Sequence, residues 1–162
     1  MTQIVSNTGP LIALGGINRL DILRELFEGV IVPDSVHSEI MEGGGGFTGL
    51  SAYQGCAWIQ VRALSSEVDP LLANILDLGE ASVICLAREL GESCVLMDEK
   101  KGRKIARDIY GLKIVGTVRV LLEAKRRGLI ADVGTTLNEM RQTGYWFHDS
   151  IIERARAEAG EN

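Results

Sequence analysis

Four side chains of this 162-residue sequence place oxygen where a fold could gather it: Asn7, Glu39, Glu80 and Asp98. Asn7 follows the short apolar piece Gln3 to Ser6, and Asp98 follows the apolar run Cys94 to Met97. If both pieces are strands of an open parallel sheet, their carboxyl ends share the edge beyond which ligands sit. Glu39 lies on the helix expected after the second strand, and Glu80 lies in the first turn of its own helix. Three carboxylates and a carboxamide on one crevice form an all-oxygen site, which hard cations such as Mg²⁺ or Mn²⁺ prefer while retaining several waters. Metal-assisted phosphoryl chemistry follows from such a set.

Each residue taken alone also has a plainer reading. Asp98 can be a helix cap, Glu80 can complement a helix dipole, Glu39 can be a solvated helix residue and Asn7 can be a turn former. Their joint placement carries the hypothesis. Other constellations are weaker. Gly44, Gly46 and Gly49 match G-x-G-x-x-G only because they belong to a glycine run, and that run follows a helix where a dinucleotide fingerprint follows a strand. No G-K-[ST] phosphate loop occurs, and His37 and His148 lack a Cys or Ser partner that would make a triad or zinc site. The three cysteines, Cys56, Cys85 and Cys94, form no C-x-x-C pair, and Cys85 and Cys94 read as small buried hydrophobes in a reduced compartment.

The elements that must position these residues follow from apolar periodicity. Gln3 to Ser6 reads as a strand that ends at the turn Asn7-Thr8-Gly9-Pro10, and one helix continues from there to Phe27, stopped by Gly29. Val30 to Val32 is the next strand, and Pro33-Asp34-Ser35 starts a helix to Met41 with Asp34 or Ser35 as cap. The glycine run after it reads as a loop or lid. Ala57 to Ala63 alternates as an edge strand, Ser65 to Leu78 reads as a helix, and a further helix runs from Gly79 to its stop at Gly91. Cys94 to Met97 is a fully apolar strand, Lys100 to Tyr110 a basic helix, Lys113 to Val115 a strand and Thr117 to Arg127 a helix. Two more helices fill Ala131 to Glu158. Strands alternating with helices of about three turns give a single α/β domain over 1–162, a mostly parallel central sheet flanked by helices.

Composition agrees with this and narrows the function classes. A hydrophobic fraction of 46%, a charged fraction of 24% and only 5% aromatics imply a globular core of Leu, Ile, Val and Ala. The net charge of −5 argues against binding nucleic acid through bulk positive charge, though one strip is basic: Lys100, Lys101, Arg103, Lys104 and Arg107 follow Asp98 on one helix. Arg126 and Arg127 make a second patch. Trp58, Tyr145 and Trp146 can stack on bases, but core or interface packing is the simpler reading. No basic leader with a long apolar stretch and no run of about 18 apolar residues occurs, which points to a cytoplasmic protein without a membrane partner.

Four segments together resemble the PIN-domain family: V-S-N-T-G-P-L-I-A-L from Val5, V-I-V-P-D-S-V-H-S-E-I from Val30, L-G-E-A-S-V-I-C-L-A from Leu78 and V-L-M-D-E-K-K-G-R-K-I-A from Val95. With G-T-V-R-V-L-L-E-A-K-R-R-G-L-I from Gly116, they look like its VapC-like branch of prokaryotic toxin-type ribonucleases, and the resemblance covers about 3–130. It implies a three-layer α/β/α fold whose acidic cluster binds one or two Mg²⁺ or Mn²⁺ ions and hydrolyses RNA phosphodiesters. By position, Asn7 stands where the family usually has its first aspartate. Glu39 is the helix glutamate, Glu80 the third acid and Asp98 the fourth, with Glu99 as an accessory acid. The asparagine keeps an oxygen donor but one fewer charge, which weakens attraction for a dication. The resemblance further implies the toxin of a toxin–antitoxin pair, a small cognate antitoxin that blocks the crevice, and a homodimer, for which Tyr145 to Ile152 is a candidate contact. Two rival readings are a PIN-like module that binds RNA or protein without cleaving, and a receiver-like regulatory domain. The second lacks a placeable pair of phosphorylatable aspartate and partner lysine.

Overall fold

The structure, a computed structural model, describes residues 2–43, 49–91 and 94–161. Among them, five strands form one sheet: β1 (Gln3–Ser6), β2 (Gly29–Pro33), β3 (Ile59–Arg62), β4 (Cys94–Leu96) and β5 (Lys113–Val115). Their order is β3-β2-β1-β4-β5, and every neighbouring pair is parallel. The sheet is thus wholly parallel.

Burial explains the strand sequences. Ile4, Val5, Ser6, Val30, Ile31, Val32, Cys94, Val95 and Leu96 are all buried, as expected of central strands covered on both faces. At the edge, Ile59 of β3 is buried while Gln60, Val61 and Arg62 are exposed, so of the two alternating apolar residues only Ile59 is covered. Helix α6 (Leu78–Leu90) packs on β1, β2 and β4, and α7 (Lys100–Asp108) on β5. Helix α2 (Asp21–Leu26) also packs on β2, but the β1 to β2 and β3 to β4 connections step in opposite directions across the sheet. Right-handed crossovers therefore put α2 and α6 on opposite faces. The layer on the α2 side is extended by α8 (Thr117–Arg126), which packs on α9 (Val133–Gln142) and α10 (Asp149–Glu158).

Three expected elements differ. The single first helix is divided into α1 (Thr8–Gly16) and α2, because Asn18 takes the left-handed conformation (φ 56°) and Arg19 N–H returns to Leu14 O at 2.9 Å. Asparagine is one of the few residues that accept that conformation cheaply. The helix expected from Ser65 starts only at Pro70: Ser65 and Ser66 N–H bind the Glu89 carboxylate, and Asp69 caps α5 (Pro70–Ile75) by accepting from Leu71 N–H. Neither Asp34 nor Ser35 caps α3 (Asp34–Glu42); its N-cap is Pro33, with no capping side chain. A short α4 (Leu50–Gln54), unforeseen in the sequence, packs on α1. Gly44 and Gly46 of the glycine run lie outside the described residues. No helix among the described residues is long and apolar enough to cross a membrane.

Gly49, which heads α4, lies against backbone. A Cβ there would stand 2.6 Å from both Gly15 O and Gly16 N, and main-chain atoms cannot swing aside as a flexible side chain can. Gly49→Ala is therefore expected to lower the unfolding free energy by about 1–3 kcal/mol, the usual cost of overpacking. Urea denaturation should show a lower midpoint at unchanged slope. Wild-type stability would refute the close approach.

Candidate active site

Asn7 and Asp98 leave the sheet side by side. One rung past β1, Asn7 N–H donates to Leu96 O at 2.9 Å, and one rung past β4, Met97 N–H donates to Val115 O at 3.0 Å. The Asn7 side chain is buried, and although Asn7 is the N-cap of α1 it makes no capping hydrogen bond. Its Oδ1 faces Gly79 in the first turn of α6 instead. Asn7 Oδ1 and Glu39 Oε1 lie 3.4 Å, and Asp77 Oδ1 3.5 Å, from the point a Cβ on residue 79 would occupy. These three oxygens line a hollow that stays open because residue 79 has no side chain. Thr8 Oγ1, in the next residue after Asn7, is buried with no hydrogen-bond partner.

Glu39 reaches this place from α3, which packs on α6, and it remains exposed. Asp77 was missed in the sequence. Its signal is the pattern Asp77-Leu78-Gly79-Glu80, a capping box: Glu80 N–H donates to Asp77 Oδ1 at 2.8 Å, and Asp77 N–H to Glu80 Oε1 at 3.3 Å. Glu80 is thus held by its own helix end, with Oε2 3.0 Å from where a Cβ on Gly102 of α7 would stand. Burial, then the hydrogen-bonded Asp77 and the charge of Glu99, push the Glu80 carboxyl up to about 7. Glu99 itself is exposed at the start of α7, where it caps nothing.

Asp98 is not a helix cap either. Thr117 N–H donates to its Oδ1 at 2.7 Å, while Thr117 Oγ1 and the Tyr145 hydroxyl each donate to Oδ2 at 2.6 Å. Three of the roughly four acceptor positions of a carboxylate are used, which locks its rotamer and leaves one lone pair on Oδ1. Burial, followed by the neighbouring Asp98 charge, raises the Tyr145 phenol far above its ordinary range, so it acts as a donor. Tyr145 reaches Asp98 by passing over Gly9, where a Cβ would meet its hydroxyl at 2.6 Å. Neither Thr117 nor Tyr145 carried a sequence signal for this role, since both pairings span elements distant in the chain.

Of the predicted residues, Asn7 and Glu39 therefore stand with Asp77 around the hollow, and Asp98 stands with Thr117 and Tyr145 after the adjacent strand. Among the described residues, no three His, Cys, Asp or Glu side chains stand together as a metal cage would require. Of the basic helix, Lys100 and Arg103 line a groove that opens at Asp98, with Arg103 donating to Met97 O at 3.3 Å. Lys101, Lys104 and Arg107 do not line it; they are exposed, and Arg107 pairs with Asp108 at 3.1 Å. Arg126 and Arg127 are both bound to Glu123, whose carboxyl they hold down to about 2. His37 bonds the Tyr53 hydroxyl and His148 caps α10, so each has a structural task. Trp58 packs against the core, but Trp146 does not: it is 72% exposed, which removes the core half of the packing reading for that residue.

Residues 3–161 match DUF3368, a PIN domain, so the chain belongs to the PIN-domain family, and the match includes the helices beyond residue 130. PIN domains are generally nucleases of the hydrolase class. No curated protein matches the chain, and no solved structure does.

PIN domains typically use divalent metal ions. The donor set fits such an ion in kind: Asn7, Glu39, Asp77 and Asp98 offer oxygen alone, and a hollow with few direct protein ligands suits Mg²⁺, which is held by one or two carboxylates and keeps most of its waters.

A pH dependence follows from Glu80 in metal-free protein. Its folded value, about 7, stands above its ordinary 4.5, so the fold favours the protonated acid. That contribution is fully present below about 4.5 and is lost as pH rises through about 7. Glu80→Gln keeps an acceptor for Asp77 N–H without a charge. In EDTA above pH 7 it should melt higher than wild type, and a lower melting temperature would contradict the assignment.

Proposed function

We propose that the chain is a Mg²⁺- or Mn²⁺-dependent endoribonuclease and the toxin of a toxin–antitoxin pair. The observation that carries this reading is the hollow of Asn7, Glu39 and Asp77 around Gly79, set beside Asp98 on the carboxyl edge of a PIN-domain sheet. Asn7, Glu39 and Asp98 would hold the ion, with Asp77, Glu80 and Glu99 adding negative charge nearby. A bound divalent ion supplies Lewis-acid activation of water and of the phosphodiester. Asn7 gives a neutral oxygen, and the charge comes from the carboxylates around it. Thr117 and Tyr145 fix the Asp98 carboxylate, so that its free lone pair keeps one direction. Lys100 and Arg103 offer positive charge to the phosphate beside it, which makes binding salt-dependent. The antitoxin covers this same edge in the resting pair, and two copies of the chain form a dimer in the cytoplasm.

The test is cleavage of mixed cellular RNA by partner-free protein in Mn²⁺ or Mg²⁺, with EDTA and Asp98→Asn as controls. Discrete cut ends that vanish in both controls are expected. Well-folded protein that leaves RNA intact, but cuts once Asn7→Asp is introduced, would favour the non-cleaving binding module. Gly79→Ala gives an independent check, because a methyl there sits 3.4–3.5 Å from the three oxygens without a clash. The variant should keep wild-type stability while losing roughly tenfold or more in Mn²⁺ affinity by calorimetry, since one displaced ligand or water contact is worth about 1.4 kcal/mol or more. Unchanged Mn²⁺ binding would remove the hollow from the site.

A further inference from the structure

We infer that Trp146 is a stacking platform for a base of single-stranded nucleic acid, in the groove that leads to Asp98; this rests on the nuclease reading above. The groove encloses about 670 Å³ and is lined by Lys100, Arg103, Trp146, Ile151 and Arg154 as well as Asp98. That volume lies within the range of about 300–1,000 Å³ found for ligand sites. Trp146 is 72% exposed, an apolar area that water covers poorly and a flat partner would cover well.

The indole is also held in place. Its neighbours are anchors: the Tyr145 hydroxyl is bound to Asp98, Phe147 is buried, and the two rings meet edge to face at 5.2 Å. The Arg141 guanidinium lies over the Trp146 ring, 5.2 Å from its centroid, and is itself bound to Asn138 Oδ1 at 2.8 Å, Phe147 O at 3.3 Å and the Asp149 carboxylate. One side of the indole is thus engaged by a fixed cation, and the ring borders the groove. A platform whose orientation is set beforehand loses little freedom on binding.

Charge selects the occupant. Asp98, the residue that would share an ion, lines the groove with Glu99, and Glu158 is paired with Arg119 at 3.4 Å. Lys100 and Arg154, which line it as well, are exposed cations. Aromatic face and spaced cations are the two parts of a site that binds single strands with little sequence preference. A duplex cannot offer a base face to such a platform unless it opens.

The experiment titrates a short, labelled, mixed-sequence single-stranded oligoribonucleotide into the full chain in EDTA, so that binding is read without cleavage. Trp146→Ala should weaken binding roughly five- to 150-fold, the span of base–aromatic stacking. Trp146→Phe should retain most of the affinity, and the Trp146 fluorescence of a Trp58→Phe background should be quenched by the single strand. Cleavage in Mn²⁺ is measured on the same preparations. Wild-type affinity in Trp146→Ala overturns the platform while leaving the nuclease intact if RNA is still cut. So does dissociation of a dimer by Trp146→Ala with oligonucleotide binding unchanged, which would make the patch a contact between copies. Loss of both binding and cutting in wild-type protein removes the nuclease reading together with the platform.

Discussion

The parallel ladder between β1 and β4 is the constraint on which the site depends. Val5 pairs with Val95 and Ser6 with Leu96, so the two buried strands end level with each other. The rung Asn7 N–H to Leu96 O then carries the register one residue beyond β1. Slide one strand by a single residue against the other and a polar end residue enters the buried ladder while an apolar residue leaves it at the far end. Seven fully or nearly fully buried aliphatic side chains, Ile4, Val5, Val30, Ile31, Val32, Val95 and Leu96, make such a slip costly. The site therefore inherits its geometry from the hydrophobic core.

Gathering carboxylates at one sheet edge works against stability, and the structure meets this with specific donors. Asp98 receives three hydrogen bonds from Thr117 and Tyr145, and Asp77 receives the Glu80 amide. Glu80 has the least help, since among the described residues Asp77 N–H at 3.3 Å is its one hydrogen-bond donor, while burial and two neighbouring carboxylates oppose its charge. A cation placed at this edge would relieve all of these repulsions at once. Tyr145 ties the C-terminal helices into the same arrangement, because its hydroxyl joins the segment before α10 to the end of β4. Any ligand pressing on Trp146 is thus one residue away from an Asp98 ligand.

The strand and helix alternation was legible because the central strands are uninterrupted apolar runs and the helices end at glycine, as α6 does at Gly91 with φ 68°. Asn7 and Asp98 could be found because each directly follows a strand, Gln3–Ser6 for Asn7 and the apolar run through Met97 for Asp98. What stayed hidden depends on contacts between distant segments. Thr117 and Tyr145 look like a helix start and an aromatic in an apolar tail until the fold brings both to Asp98. The division between α1 and α2 turns on one asparagine in the left-handed region, a local choice that apolar periodicity runs straight through. Asp77 was different, since its capping box is written in the sequence, but a cap and a site residue have the same signature there. Only its shared hollow with Asn7 and Glu39 separates the two roles.

The asparagine at position 7 fits its surroundings in electrostatic terms. Its amide oxygen lies within the same small hollow as the carboxylate oxygens of Glu39 and Asp77, and its side chain is buried. A carboxylate at that point would place a third negative charge among them, desolvated, next to a glutamate already pushed up to about 7. A buried carboxylate a few ångströms from two others is disfavoured in its charged form. The amide keeps an oxygen facing the hollow and removes that repulsion. The same exchange weakens the field that draws a dication in, because Coulomb attraction scales with each charge removed. Position 7 therefore sets a balance between the stability of the ion-free fold and the affinity of its acidic edge, and asparagine moves that balance toward the fold.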